Sequence, residues 1–230
     1  MLGGLSMVQE VVRLIVAWFF AVAAAGLAGN AVAQDARQNT PGQFDFYVLS
    51  LSWSPSFCDA AGERAPKLQC GERRYSFVVH GLWPQYEQGF PEFCQVPAPR
   101  LNREIVSSML DLMPAPRLIF NEWDKHGTCS GLSPRAYFET VRKARAVVKI
   151  PPQFLDLQTP LTVTPDEVEE AFVAANPGLS RDAIAVLCDR TRLREVRLCL
   201  TRELGFRPCP EIDRRACRRD KISMPPLRGG

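Results

Sequence analysis

The chain contains two histidines, and both stand among residues equipped for proton transfer. His80 lies in Ser76-Phe-Val-Val-His-Gly-Leu-Trp-Pro-Gln85, and His126 in Asn121-Glu-Trp-Asp-Lys-His-Gly-Thr-Cys129. A pair of imidazoles is the simplest apparatus that can remove one proton and donate another near neutral pH. If the second segment is helical, Glu122, Lys125 and His126 fall at i, i+3 and i+4 and share one face. That adds a carboxylate and an ammonium to the pair.

The elements that must position these groups can be read from hydrophobic periodicity. In Tyr47–Trp53, Tyr47, Leu49, Leu51 and Trp53 alternate with Ser50 and Ser52, which predicts a strand with one buried face. Residues 75–80 read as a second strand ended by Gly81 and Pro84, placing His80 at its terminus. The stretch from Cys58 to Cys70, rich in Gly, Pro and charge, reads as a loop, and residues 86–100 as irregular. Helices are expected over 101–112, over about 117–125 with a stop at Gly127, and from an N-cap at Ser133 with Pro134 at N1 to about Val148. Thr164-Pro-Asp-Glu167 is a capping box leading into 168–175. Residues 183–188 and 194–200 return to strand period, with Val196, Leu198 and Leu200 opposite Glu195, Arg197 and Cys199. Strands at both ends with helices between predict an α+β domain around a mainly antiparallel sheet.

At 230 residues, 46% hydrophobic, the chain can bury one good core, and a net charge of +3 neither demands nor excludes an anionic partner. Residues 14–27 are almost wholly apolar, are preceded by Arg13 and are followed by Ala31-Val32-Ala33. This suits a signal peptide over 1–33 better than a bilayer span of about 20 apolar residues. The expected organisation is then a polar leader over 34–43, one catalytic domain over 44–217 and a loosely held basic tail over 218–230. All eight cysteines follow the cleavage site, an even number in an exported chain, and four disulfides are the expected reading, with the pairing open.

Two imidazoles, a lysine and a carboxylate suit cleavage of an RNA phosphodiester without a metal or cofactor. One imidazole takes the ribose 2′-hydroxyl proton, the other protonates the leaving oxygen, and Lys125 offsets charge on the phosphorane. His80-Gly-Leu-Trp-Pro84 and Glu122-Trp-Asp-Lys-His-Gly-Thr-Cys129 resemble the two catalytic segments of the ribonuclease T2 family. The similarity extends to 47–58, to Glu195–Cys199 and to Phe206–Pro210. The resemblance implies a disulfide-bonded T2-like fold in which His126 is the general base, His80 the general acid, and Glu122 and Lys125 stabilise the phosphorane. It implies that Trp83 helps place the phosphate or base, and that the disulfides pair Cys94 with Cys129, Cys188 with Cys217, Cys199 with Cys209, and Cys58 with Cys70. The expected substrate is single-stranded RNA, cleaved with low base specificity through a 2′,3′-cyclic phosphate. DNA should be inert, the protein a monomer, exported to the periplasm or beyond, with no membrane contact after cleavage.

Two positions depart from the family pattern. Asn121 stands where many members have a phosphate-binding histidine, which predicts weaker binding or an altered pH profile. Gln85 stands where some have an acidic residue at the base. The arginines at 214, 215, 218 and 219 read as a solvated face. Two alternatives are a metal-dependent phosphoesterase, for which the ligands are too few, and an exported RNA-binding or scavenging protein with little turnover.

Overall fold

The computed structural model describes residues 39–71 and 73–228. The expected signal peptide, its cleavage site and the start of the polar leader lie outside the described residues. The end of that leader is docked: the Gly42 amide donates to the Cys129 carbonyl at 2.9 Å and the Asn39 amide to the Tyr86 hydroxyl at 3.2 Å.

A four-stranded antiparallel sheet, in the order β2-β1-β5-β4, organises the domain. Its strands are β1 (Phe46–Trp53), β2 (Phe77–Gln85), β4 (Ile184–Cys188) and β5 (Leu193–Leu200). Alternation assigns the faces. Leu49, Leu51, Val79, Leu82, Val196 and Leu198 point into the main core. There they meet α3 (Arg103–Met109), α4 (Pro116–Lys125), α5 (Pro134–Val147) and α6 (Pro165–Ala175), through Met109, Ile119, Trp123, Tyr137, Phe138 and Phe172. The fold class is the expected α+β, with helices massed on one face of the sheet. β1 is buried on both faces, not one. Phe46 and Val48 pack beneath α7 (Pro210–Asp213), in a small cluster with Trp83, Ile212, Cys199 and Cys209.

Local sequence fixes the helix starts. Asn102 caps α3 through the Ile105 amide at 2.8 Å, and Ser133 caps α5 with Pro134 in its first turn. Thr164 and Glu167 close the expected capping box on α6. The Cys58–Cys70 stretch is not a loop. Pro55 sits in the first turn of α1 (Ser54–Ala61), where its missing N–H costs nothing, and α2 (Lys67–Cys70) follows a 3₁₀ turn. Disulfides join Cys58–Cys70, Cys94–Cys129, Cys188–Cys217 and Cys199–Cys209, the pairs that the resemblance implies.

Two further expectations are corrected. The second strand does not end at Gly81 or Pro84 but runs to Gln85. It is an edge strand, where a proline displaces no ladder bond, and its outer side is met by the Tyr137 hydroxyl on the Leu82 carbonyl and by the Leu112 carbonyl on the Val79 amide. The described part of the tail is not loose. Ile222–Met224 forms β6, pairs with β3 (Leu161–Val163) and buries Ile222 and Met224, while the Trp53 indole donates to the Pro225 carbonyl at 3.1 Å. Apolar residues at alternate positions, Ile222 and Met224, drive that docking within an otherwise basic stretch.

Candidate active site

His80 owes its direction to an irregularity in β2. Gly81 pairs with Ser50, but Val79 pairs with Leu51, so His80 is an extra residue opposed by none. Leu82 and Val79, three apart, both enter the core, and the bulge throws His80 and Gly81 together onto the opposite face beside Trp83. Bulges of this kind re-aim side chains next to active sites. The same face of β5 presents Glu195 and Arg197, since Ser50 and Ser52 pair with Arg197 and Glu195.

The second motif arrives on α4, as its i, i+3, i+4 spacing predicts. Glu122 is buried on the helix, Lys125 ends it and His126 is its C-cap. The helix crosses β2 at Gly81, where a Cβ would stand 2.1 Å from the Glu122 carboxylate and 2.3 Å from the Trp83 indole nitrogen. Glycine is therefore required there by the closeness of the two elements. Beyond His126 the chain tightens into a 3₁₀ turn, Gly127–Ser130, in which Gly127 lies against Trp123 and Tyr137 and Cys129 is tied to Cys94. The His126 backbone is thereby clamped on both sides.

His80, Trp83, Gln85, Glu122, Lys125 and His126 converge on one cleft of about 350 Å³. Both imidazoles flank Trp83, each ring centre 5.3 Å from the indole. The Trp83 N–H donates to Glu122 Oε2 at 2.6 Å. Gln85 is buried, with its amide donating to the Pro84 carbonyl. Asn121 is exposed and is not among the residues lining the cleft. Phe90, Arg197, Ile212 and Arg215 complete the lining, and the sequence reading gives none of them a part in the site. A second cavity of about 210 Å³, with Ser52, Phe57 and Leu118 in its wall, opens on His80 and Glu195, so His80 borders both.

Glu195 is the principal group that sequence reasoning missed. Its Oε1 lies 2.6 Å from His80 Nδ1, while its Oε2 accepts from Arg197 at 2.8 and 3.1 Å and from the Ser50 hydroxyl at 3.1 Å. Arg197 in turn stacks over Trp83, 4.8 Å from the ring centre. The signal was present in the alternation of β5, which sets Glu195 and Arg197 opposite its core residues. What was missing was the knowledge that β1 alone separates β5 from β2.

The two histidines sit in opposed electrostatic settings. Burial works against protonation of His80, but the hydrogen bond and charge of Glu195, with the charge of Glu122 3.5 Å from Nε2, outweigh it and raise the pKa above the ordinary 6.5. Burial would raise Glu195, yet the His80 and Arg197 contacts hold its carboxyl down at about 2. Among the described residues His126 has no carboxylate partner. Burial, reinforced by the positive charges of Lys125, His80 and Arg197, lowers it to about 3, and its buried Nδ1 has no hydrogen-bond partner among the described residues. Glu122 is raised by burial, with Glu195 adding to the effect against His80 and Trp83. Proton affinity is thus pushed up at one imidazole and far down at the other, side by side.

The sequence pattern of the ribonuclease T2 family matches residues 44–209, a stretch that contains every residue lining the cleft except Ile212 and Arg215. A probable ribonuclease of Haemophilus influenzae is 36% identical over 131 residues, which cover 51% of this chain and 48% of that protein. A ribonuclease of Aeromonas hydrophila is 42% identical over 104 residues, covering 45% of this chain and 46% of that protein. The matched stretch thus spans about half the length of these two relatives. Among solved structures, RNase NT in complex with 5′-AMP superposes with a TM-score of 0.63 at 25% identity, over 80% of this chain and 99% of that one. The S-like ribonuclease trichomaglin superposes with a TM-score of 0.66 at 19% identity, over 81% and 100%, a likeness of fold alone. The family pattern covers well over half of the chain and most of the cleft lining, and the chain belongs to the ribonuclease T2 family.

Proposed function

We propose that the protein is an exported, monomeric endoribonuclease that cleaves single-stranded RNA by transphosphorylation, without a metal or cofactor, leaving a 2′,3′-cyclic phosphate and then a 3′-phosphate. The observation that carries this reading is the pair of imidazoles in one cleft, one whose proton affinity burial lowers and the other whose proton affinity Glu195 raises. A reaction that takes one proton and gives another in the same step needs that asymmetry.

In the first step neutral His126 takes the 2′-hydroxyl proton, O2′ bonds to phosphorus, the P–O5′ bond breaks in line, and His80 gives its proton to O5′. In the second step water opens the cyclic ester and the two histidines exchange roles. Lys125 and Arg197 offset the charge that builds on the non-bridging oxygens. Glu122 holds the Trp83 indole and lies beside His80 Nε2, so it positions both. The negative charge of a bound phosphate raises the proton affinity of both imidazoles and moves His126 toward the range where a general base works best.

The two cavities meeting at His80 give room for the nucleotides on either side of the scissile bond. Phe90 offers a stacking face that fits any base, and the Gln85 amide already bonds its own backbone, which favours low base specificity. A DNA strand lacks the attacking hydroxyl and is inert in this scheme. Four disulfides suit an oxidising compartment outside the cytoplasm.

The test is to incubate mature protein with single-stranded RNA in EDTA and analyse the ends. The expected products carry 2′,3′-cyclic and 3′-phosphates, and His80→Ala and His126→Ala each abolish them while the fold persists. Loss of activity in EDTA, or cleavage of a 2′-deoxy substrate, would overturn the mechanism.

A further inference from the structure

Arg215 lines the catalytic cleft and also a second, open groove of about 570 Å³, so the two adjoin at this side chain. The groove lies where the β4–β5 turn faces the segment after α7. The Cys188–Cys217 disulfide and the Cys217 amide, donating to the Val186 carbonyl at 2.7 Å, hold the two together. Arg190 comes from the turn, and Arg218 and Arg219 from the segment. These three guanidinium groups are exposed and close no ion pair among the described residues.

Asp189 is the one carboxylate among the groove's lining residues, and it is already engaged. Its Oδ1 accepts the Thr191 and Arg192 amides at 2.9 and 2.8 Å, and its Oδ2 lies 3.7 Å from Arg194. Arg215 is paired with Glu211 at 2.8 Å, which leaves Arg190, Arg218 and Arg219 as the groove's free positive charge. Three unpaired guanidinium groups gathered by a disulfide and opening from the cleft fit a run of phosphates better than a solvated face.

We propose that this groove is a distal binding site for the phosphate backbone of the RNA strand being cleaved, entered past Arg215, and that it makes the enzyme favour long RNA over short. The proposal rests on the endoribonuclease reading above. Its effect is on capture of the strand and its salt dependence, while the chemistry at the two histidines is untouched.

The test is the triple variant Arg190→Gln, Arg218→Gln, Arg219→Gln in the full mature chain. Its kcat/KM is measured against salt for a dinucleotide and for an oligoribonucleotide long enough to fill cleft and groove. Dinucleotide cleavage should stay at the wild-type rate, which also shows that the variant is folded. On the oligomer the log–log salt slope should become shallower by about 2, at about 0.7 per single-strand phosphate, so the wild type loses about 20-fold more than the variant between about 50 and 200 mM salt. An unchanged slope on the oligomer, or equal losses on both substrates, overturns the proposal. Anisotropy of a labelled 2′-O-methyl oligonucleotide, which no transphosphorylation can cut, separates this from failure of the function. If the wild type cleaves neither RNA yet the variant binds this probe more weakly and with a shallower slope, the function fails and the groove stands. Equal binding removes the groove as well.

Discussion

Replacing Glu195 by glutamine isolates the charge that keeps His80 protonated. The carboxylate serves two clients at once, His80 Nδ1 on Oε1 and the Arg197–Ser50 pair on Oε2. Glutamine has one acceptor oxygen and one NH₂ group. Arg197 and Ser50 bring several donors, so the oxygen turns to them and the NH₂ faces His80, where it disfavours the imidazolium. A hydrogen bond to a charged group is worth about 1.5–3 kcal/mol, so the proton affinity of His80 should fall by about 10- to 100-fold. Burial, now unopposed by Glu195, acts in the same direction. The assay is the pH profile of kcat/KM on a dinucleotide. In the wild type the proposed mechanism predicts an acid limb that follows His126, at about 3 in the free protein, and an alkaline limb that follows His80, above 6.5. In the variant the alkaline limb should move to lower pH, activity at neutral pH should fall by about the same 10- to 100-fold, and most of it should return on acidification. A uniform loss at every pH, with the alkaline limb in place, would refute the reasoning and leave Glu195 a merely structural residue.

Three further outcomes are expected. Gly81→Ala drives a methyl group into the Glu122 carboxylate and the Trp83 indole, so it should cost about 1–3 kcal/mol in urea unfolding and lower kcat on every substrate; wild-type values would show that α4 can retreat. Removing the Cys94–Cys129 bond with two serines should lower stability by about 4 kcal/mol on loop closure over 35 residues, read by urea unfolding, and loosen the corner that carries His126. The depressed pKa of His126 has a stability sign. Below 6.5 the unfolded chain takes up a proton that the folded one refuses until about 3, so stability should fall by about 4 kcal/mol as pH drops through that window. His126→Gln should flatten this part of the profile, and an unchanged slope would contradict the burial argument.

Much of the site was legible because its residues are close in sequence. Helical spacing alone brought Glu122, Lys125 and His126 together, and the caps at Ser133 and Thr164 lie within four residues of what they bond. What escaped the sequence depends on pairing across the sheet. The placement of His80 needs a bulge whose register is set by β1, and its partner Glu195 is 115 residues away. Pro84 argued against a strand because nothing local tells an edge strand from a central one. The docking of 222–224 escaped for the same reason, since β3 and β6 are short and meet only in the folded chain. Arg215 read as solvated surface until the Cys188–Cys217 bond placed its neighbourhood beside the cleft.

The two histidines of the sequence make the central claim directly measurable. In tag-free protein, an NMR pH titration of the imidazole resonances should show two curves, assigned with His80→Ala and His126→Ala. The account predicts that His80 titrates above 6.5 and His126 far below it, toward about 3, so that at neutral pH the first holds far more of its proton than the second. Two curves that coincide near 6.5, or that appear in the reverse order, would contradict it.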